Sequence, residues 1–415
     1  MIAKRCVYMT NLIAFIFTPE DDTAYSSSGW DIAASESIST FAGNDSVNGE
    51  RAVGTSASGI DVANNGSINT GEGNASISGE GSYGITSRYS SISTGSGNDI
   101  ISGSGLTVYG ISLGGGTISG GVGDDTIQGS GGEDGIHTYF LGAEINGDSG
   151  EDSIFGTGAR HGIYHFAGTI AGGEGNDTIS GVDNNDTILL SNDTFGTDSG
   201  IQNWAVIDGG LRDDLIIGKG IAVGIDNRGT ILGGDGNDTI NALNGGFQGY
   251  GHSDLGDGDD TVKGFGYGIF DGSNGTDSII LPIGTYTISN SSISKGSVAM
   301  NISNFEKIGG GNGIPLSLLP GTFIVDTNEI GSFQQLPANG DSSGSSSPST
   351  TSPVATTPPV ASFPEETQPI IESSVPVAPI TVIPSPTEQS PVLGIQPFES
   401  ITTIQLTTSI SVGSL

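Results

Sequence analysis

Residues 172–180 read GGEGNDTIS, and near-copies recur as GGVGDDTIQ at 120–128 and GGDGNDTIN at 233–241. The motif sits in a longer frame. With Asp177 as anchor, one isoleucine lies seven residues earlier, Ile170, and another two residues later, Ile179. The same offsets hold around Asp99 (Ile92, Ile101), Asp125 (Ile118, Ile127), Asp152 (Ile145, Ile154), Asp214 (Ile207, Ile216) and Asp238 (Ile231, Ile240), and around Asp45 with Ile38 and Val47. A third column, each member directly after a glycine, runs Ile60, Ile85, Ile111, Ile136, Ile163, Ile201, Ile225 and Ile269. Each repeat therefore reads as three short strands, each with one inward isoleucine, joined by Gly-rich turns. The period, mostly 24 to 27 residues, suits one circuit of a parallel β-solenoid. At an inter-strand distance of about 4.8 Å, about ten coils predict a rod roughly 45–50 Å long.

Composition agrees with an all-β fold. Glycine accounts for 71 of 415 residues, which disfavours helices. The formal charge of −35, from 46 acidic and 11 basic residues, argues against nucleic acid or an anionic membrane as partner and points to cations. The single cysteine, Cys6, excludes internal disulfides.

Several segments fall outside the frame. Residues 1–28 form an N-terminal cap or weak export segment: MIAKRCVYMTNLIAFIF has basic residues beside an apolar run but no small-residue cleavage pattern, and is too short to span a bilayer. The repeat domain is 29–310. Within it, SGVDNNDTILLSNDTFGTDS (180–199), which carries Asp186, predicts a side loop or half-coil, and 280–308 a C-terminal cap. A connector, 311–335, leads to a Pro/Ser/Thr-rich stretch, 336–395, whose composition predicts an extended, disordered linker. The strand-like end, 396–415, is open between a secretion signal, an anchor and a sticky end.

Counting the anchor Asp as position six, position four is Gly43, Gly73, Gly97, Gly123, Gly150, Gly175, Gly236, Gly258 and Gly275, with Arg212 the one departure. Position five varies over Asn, Asp, Glu and Thr. Position six is Asp in nine of ten repeats, never Asn, and Ala75 is the exception. Asn and Asp serve a turn almost equally, so a column that admits only Asp requires a carboxylate. Carboxylates stacked about 5 Å apart repel by about 3 kcal/mol per pair at an effective dielectric of 20, which calls for a counterion. Oxygen-only ligands in a flexible turn suit Ca²⁺ better than Mg²⁺.

The pattern resembles the hemolysin-type calcium-binding repeat, the nonapeptide G-G-x-G-x-D-x-U-x, over roughly residues 40–310, with three complete copies. The resemblance implies several Ca²⁺ ions between stacked turns, held by Asp45, Asp99, Asp125, Asp152, Asp177, Asp214, Asp238, Asp260 and Asp277 and by carbonyls of turns containing Gly121, Gly123, Gly173, Gly175, Gly234 and Gly236. It also implies export to the extracellular space by a type I system and folding on meeting calcium. The repeats here are not tandem nonapeptides, which leaves the number of sites open.

Three weaker signals complete the reading. His161 and His165, about 13 Å apart along an extended strand, cannot share an ion and read as turn or surface residues. Tyr139, Phe166 and Trp204 occupy one offset in successive coils; a buried corner stack is expected, while an exposed ladder would stack on sugar rings. Parallel β-helices also host polysaccharide lyases and epimerases, but no strand face is expected to gather an acid, a base and an arginine. The expectation is a non-enzymatic structural or adhesive protein, with calcium and extracellular polysaccharide as partners; a polysaccharide-modifying enzyme or a carbohydrate-binding module is the alternative.

Overall fold

The computed structural model describes residues 5–8, 19–33, 35–51, 57–184, 199–310, 316–325 and 333–336. The predicted side loop around Asp186 and the Pro-rich and terminal segments beyond 336 lie outside the described residues. Among the described residues the repeat domain forms three sheets: sheet I with 14 strands, sheet II with 15, and sheet III, which ends at Phe247–Gln248, with nine. No helix of the described residues is long and apolar enough to cross a membrane.

The isoleucine columns set the register. In sheet II, Ile92, Ile118, Ile145, Ile170, Ile207 and Ile231 lie opposite one another in parallel neighbours. Ile101, Ile127, Ile154, Ile179, Ile216 and Ile240 do the same in sheet I. Sheet III aligns Ile60, Ile85, Ile111, Ile136, Ile163, Ile201 and Ile225. All are at most 2% exposed, and each buried isoleucine contributes about 1.5–3 kcal/mol. A one-residue slip in any strand would turn its isoleucine outward, so the columns fix the coil.

Ile269 does not belong to the third column. It pairs with His252 in sheet II and is 44% exposed, while Phe247 lies opposite Ile225 at the end of sheet III. The cause is a shorter circuit: successive anchor aspartates are 22 residues apart from Asp238 to Asp260 and 17 apart from Asp260 to Asp277. The 22-residue circuit keeps only the two-residue strand Phe247–Gln248 in sheet III and the 17-residue circuit keeps none; Phe247 and Phe270, ring centroids 4.8 Å apart, fill the core there.

At the C-terminal end parallel stacking gives way to antiparallel pairing. Gly284–Ile288 and Val298–Ser303 flank Ser292–Lys295, and Gly321–Val325 joins the other edge of Gly284–Ile288. Fully buried Tyr286 anchors this cover. At the other end, Arg5–Tyr8 extends sheet I beside Asp22–Ser26. Both arrangements occupy strand edges that would otherwise offer unpaired backbone.

Candidate metal-binding row

The anchor aspartates stand at the turn between sheets II and I, where glycine supplies the backbone. Gly173 and Gly175, for example, have φ of 119° and 141°, values a side chain rarely tolerates. Arg212, the departure at position four, is held at φ 84°.

All nine aspartates are buried, between 0 and 4% exposed. One oxygen of each has a use that the sequence did not disclose. Asp177 Oδ1 accepts the backbone N–H of Asp152 at 2.7 Å, and Asp214 Oδ1 accepts that of Asp177 at 2.7 Å. The chain of bonds continues through Asp238, Asp260 and Asp277 and, on the other side, through Asp152, Asp125 and Asp99, which caps Ala75. Each carboxylate thus closes the turn of the preceding coil. Ala75 offers no such acceptor to Asp45.

A second ladder runs the opposite way on the solvent side, from position five. Asn98 N–H donates to Asn74 Oδ1, Asp124 N–H to Asn98 Oδ1 and Glu151 N–H to Asp124 Oδ1. Amide and carboxylate oxygens accept equally well there, which explains the mixture at position five. The buried column admits no such mixture.

The other oxygen of each anchor carboxylate is the anomaly. Oδ2 of all nine is buried without a hydrogen-bond partner. In five of the glycine coils it shares the space beside the position-one glycine with a main-chain oxygen. A methyl group placed on Gly172 would lie 2.5 Å from Asp177 Oδ2 and 2.5 Å from the Gly209 carbonyl oxygen. The same pairing of Oδ2 with the next coil's carbonyl surrounds Gly147 (Asp152), Gly209 (Asp214), Gly233 (Asp238) and Gly272 (Asp277). Where threonine replaces that glycine, its hydroxyl serves the carbonyl: Thr40 donates to Thr70 O at 2.7 Å and Thr94 to Gly120 O at 2.6 Å.

A buried carboxylate oxygen without a donor needs a proton or a cation beside it. Burial pushes the carboxyls upward, to about 8 for Asp214, about 7 for Asp125 and Asp260, and about 6 for Asp152, Asp177, Asp238 and Asp277. Asn in these positions would keep the Oδ1 bond and give the facing carbonyl an N–H donor, so the ion-free geometry alone would favour Asn. The donor set, carboxylate plus main-chain carbonyl, fits a hard cation such as Ca²⁺. The row supplies its oxygens two coils at a time, and among the described residues no group of three or more acidic, histidine or cysteine side chains gathers around one point.

The expectation of a counterion for every stacked pair is modified: backbone N–H groups already hold Oδ1, and the need for a cation falls on Oδ2. Of the glycines named by the repeat resemblance, Gly121, Gly123, Gly173, Gly175, Gly234 and Gly236 all take positive φ and shape the turn. The oxygen-lined spaces lie instead beside the glycine at position one, which the motif's first letter marked.

On and beside sheet III, three expectations are overturned. His161 and His165 are 1% and 0% exposed, not surface residues. His165 Nδ1 accepts from the Thr138 hydroxyl at 2.6 Å and its Nε2 donates to Val206 O at 2.9 Å, and desolvation pulls its pKa down to about 4. His161 and His137 both bond Asp134, at 2.8 and 2.7 Å. Phe166 and Trp204 are 50% and 39% exposed, 6.2 Å apart, so the aromatic column is a surface feature. Finally, one face does collect acid, base and arginine: Asp61, Arg88, Tyr109 and His137 line a single cleft. These residues vary from coil to coil, so a search for repeats passes over them. Aligning the coils on the third isoleucine column would have brought Tyr83, Tyr109, Asp134 and His161 to one offset.

No family model and no curated protein matches the chain. Among solved structures, a hyperactive, Ca²⁺-dependent, β-helical antifreeze protein from an Antarctic bacterium is similar at 17% identity and a TM-score of 0.37, over 76% of this chain and 95% of that one.

Proposed function

We propose that the chain is a calcium-binding β-solenoid of the hemolysin-type repeat kind, exported and serving a structural or adhesive role outside the cell rather than catalysis. The observation that carries the calcium reading is the row of buried Oδ2 atoms, each without a hydrogen-bond partner, five of them sharing a space beside a glycine with a main-chain carbonyl oxygen. Ca²⁺ would neutralise the carboxylates and join consecutive coils, with Asp152, Asp177, Asp214, Asp238 and Asp277 and the facing carbonyls as ligands. A formal charge of −35 favours this uptake and, without the ion, resists compaction. Export and the extracellular setting rest on the repeat resemblance, and the adhesive role on the fold class alone.

The test is calorimetric titration of chelated protein with CaCl₂, followed by circular dichroism. Several ions per chain should bind, with a gain in melting temperature. A chain that neither binds Ca²⁺ nor responds to chelator would end the proposal.

A further inference from the structure

A cleft of about 590 Å³ opens on sheet III near the N-terminal end of the rod, within the size range of small-molecule sites. Its charged groups come as ion pairs. Arg88 Nη2 lies 3.0 and 2.8 Å from the two carboxylate oxygens of Asp61, and Arg51 Nη2 lies 2.8 Å from Asp31. Two of only 11 basic residues thus meet here, each neutralised by its own carboxylate. Such pairs set guanidinium donors and carboxylate acceptors side by side, which suits hydroxyl groups that both donate and accept.

Aromatic rings complete the walls. His137 is stacked between Tyr109, 4.1 Å away, and Tyr164, 4.8 Å away, so these rings spend their faces on one another. Tyr83 and Tyr139 are turned out of that stack: Tyr83 stands at 69° to Tyr109, and Tyr139 at 60° to His137. Both border the cleft. Rings of this kind take the C–H face of a pyranose. The wall is braced from behind, since buried Asp134 bonds the Nδ1 atoms of both His137 and His161. Burial alone would raise the Asp134 pKa, but these hydrogen bonds hold it down to about 2.

We propose that this cleft binds a short neutral saccharide, with Tyr83 and Tyr139 stacking on the sugar and the Arg88–Asp61 and Arg51–Asp31 pairs bonding its hydroxyls. Neutrality follows from charge: a chain of −35 repels an anionic glycan, and the cleft's own charges are paired off. The site is independent of the aspartate row.

The test is calorimetry and saturation-transfer NMR on the full chain in CaCl₂, its β-structure verified by circular dichroism. The probes are cello-, manno- and malto-hexaose and, for comparison, oligogalacturonate and oligomannuronate. At least one neutral hexaose should bind with millimolar or better affinity. Tyr139→Ala and Arg88→Met should each weaken it tenfold or more with the dichroism spectrum unchanged, while Trp204→Ala, outside the cleft, should not. Absence of binding by every neutral probe, tighter binding of an oligouronate, or equal affinity in the parent and both cleft variants would overturn the proposal. Because the fold is checked separately, a failure here leaves the calcium reading standing, and a failure of that reading leaves this one standing.

Discussion

Replacing Asp177 by Asn separates the two uses of the row. The amide oxygen can keep the bond from the Asp152 N–H, now 2.7 Å from Oδ1. The amide nitrogen takes the place of Oδ2, with the Gly209 carbonyl oxygen in the same space beside Gly172, and a hydrogen bond formed there has a net value of about 1 kcal/mol. The substitution also removes charge from a stack in which ionised neighbours about 4.8 Å apart repel by about 3 kcal/mol per pair at an effective dielectric of 20. Proton uptake relieves part of that repulsion, so the expected gain in chelator at pH 7.5 is about 1–3 kcal/mol. In calcium the sign reverses. A site saturated at a hundred times its Kd contributes about 2.7 kcal/mol, and Asp177→Asn forfeits it. Thermal melts of parent and variant, each with EDTA and with excess CaCl₂, read both effects: the variant should melt higher in EDTA and lower in calcium. Equal calcium-induced gains in the two proteins, or a variant less stable than the parent in EDTA, would refute the reasoning.

Three further outcomes are expected. Chelated protein should be more stable at pH 5 than at pH 8.5. The folded pKa values of the seven aspartates from Asp125 to Asp277, about 6 to 8, lie above the ordinary 3.8, so stability is fully present below 3.8 and lost as pH rises through 6–8. His165, depressed from 6.5 to about 4, opposes this only as pH falls below 6.5, and denaturant midpoints across pH that rise instead of falling would contradict the assignment. Ala75→Asn supplies the acceptor that the Asp45 N–H lacks without adding charge to the stack and should raise stability in EDTA by about 1 kcal/mol, measured by urea denaturation; a loss would show that the pocket at Ala75 cannot take the larger side chain. Arg212→Gly relieves a side chain held at φ 84° and should stabilise by about 1 kcal/mol, an effect that a lower urea midpoint would disprove.

The coil was legible in the sequence because its determinants repeat. Ile92, Ile118 and Ile145 recur at fixed offsets from Asp99, Asp125 and Asp152, and the same spacing that made them visible places them in register. Where the period shortens, the reading failed: Ile269 kept its Gly-Ile signature while the circuit lost a strand beneath it. The aspartate row was legible as a column but not in its mechanism. A bond from Asp152 N–H to a carboxylate 25 residues later leaves no local pattern, and only the refusal of Asn at position six hinted at the unsatisfied Oδ2. The saccharide cleft was the least visible feature. Arg51, Asp61, Arg88, Tyr109 and His137 occupy different coils and share no motif; parallel stacking alone makes them neighbours.

The central claim, that cations rather than protons occupy the buried row, is tested most directly by anomalous diffraction from a crystal of the calcium-loaded chain. The account predicts anomalous peaks inside the turns beside Oδ2 of Asp152, Asp177, Asp214, Asp238 and Asp277, next to the carbonyls that face them. Peaks confined to the exposed ladder at Asp124, Asp213 and Asp259, or a row empty of calcium at saturating concentration, would contradict it.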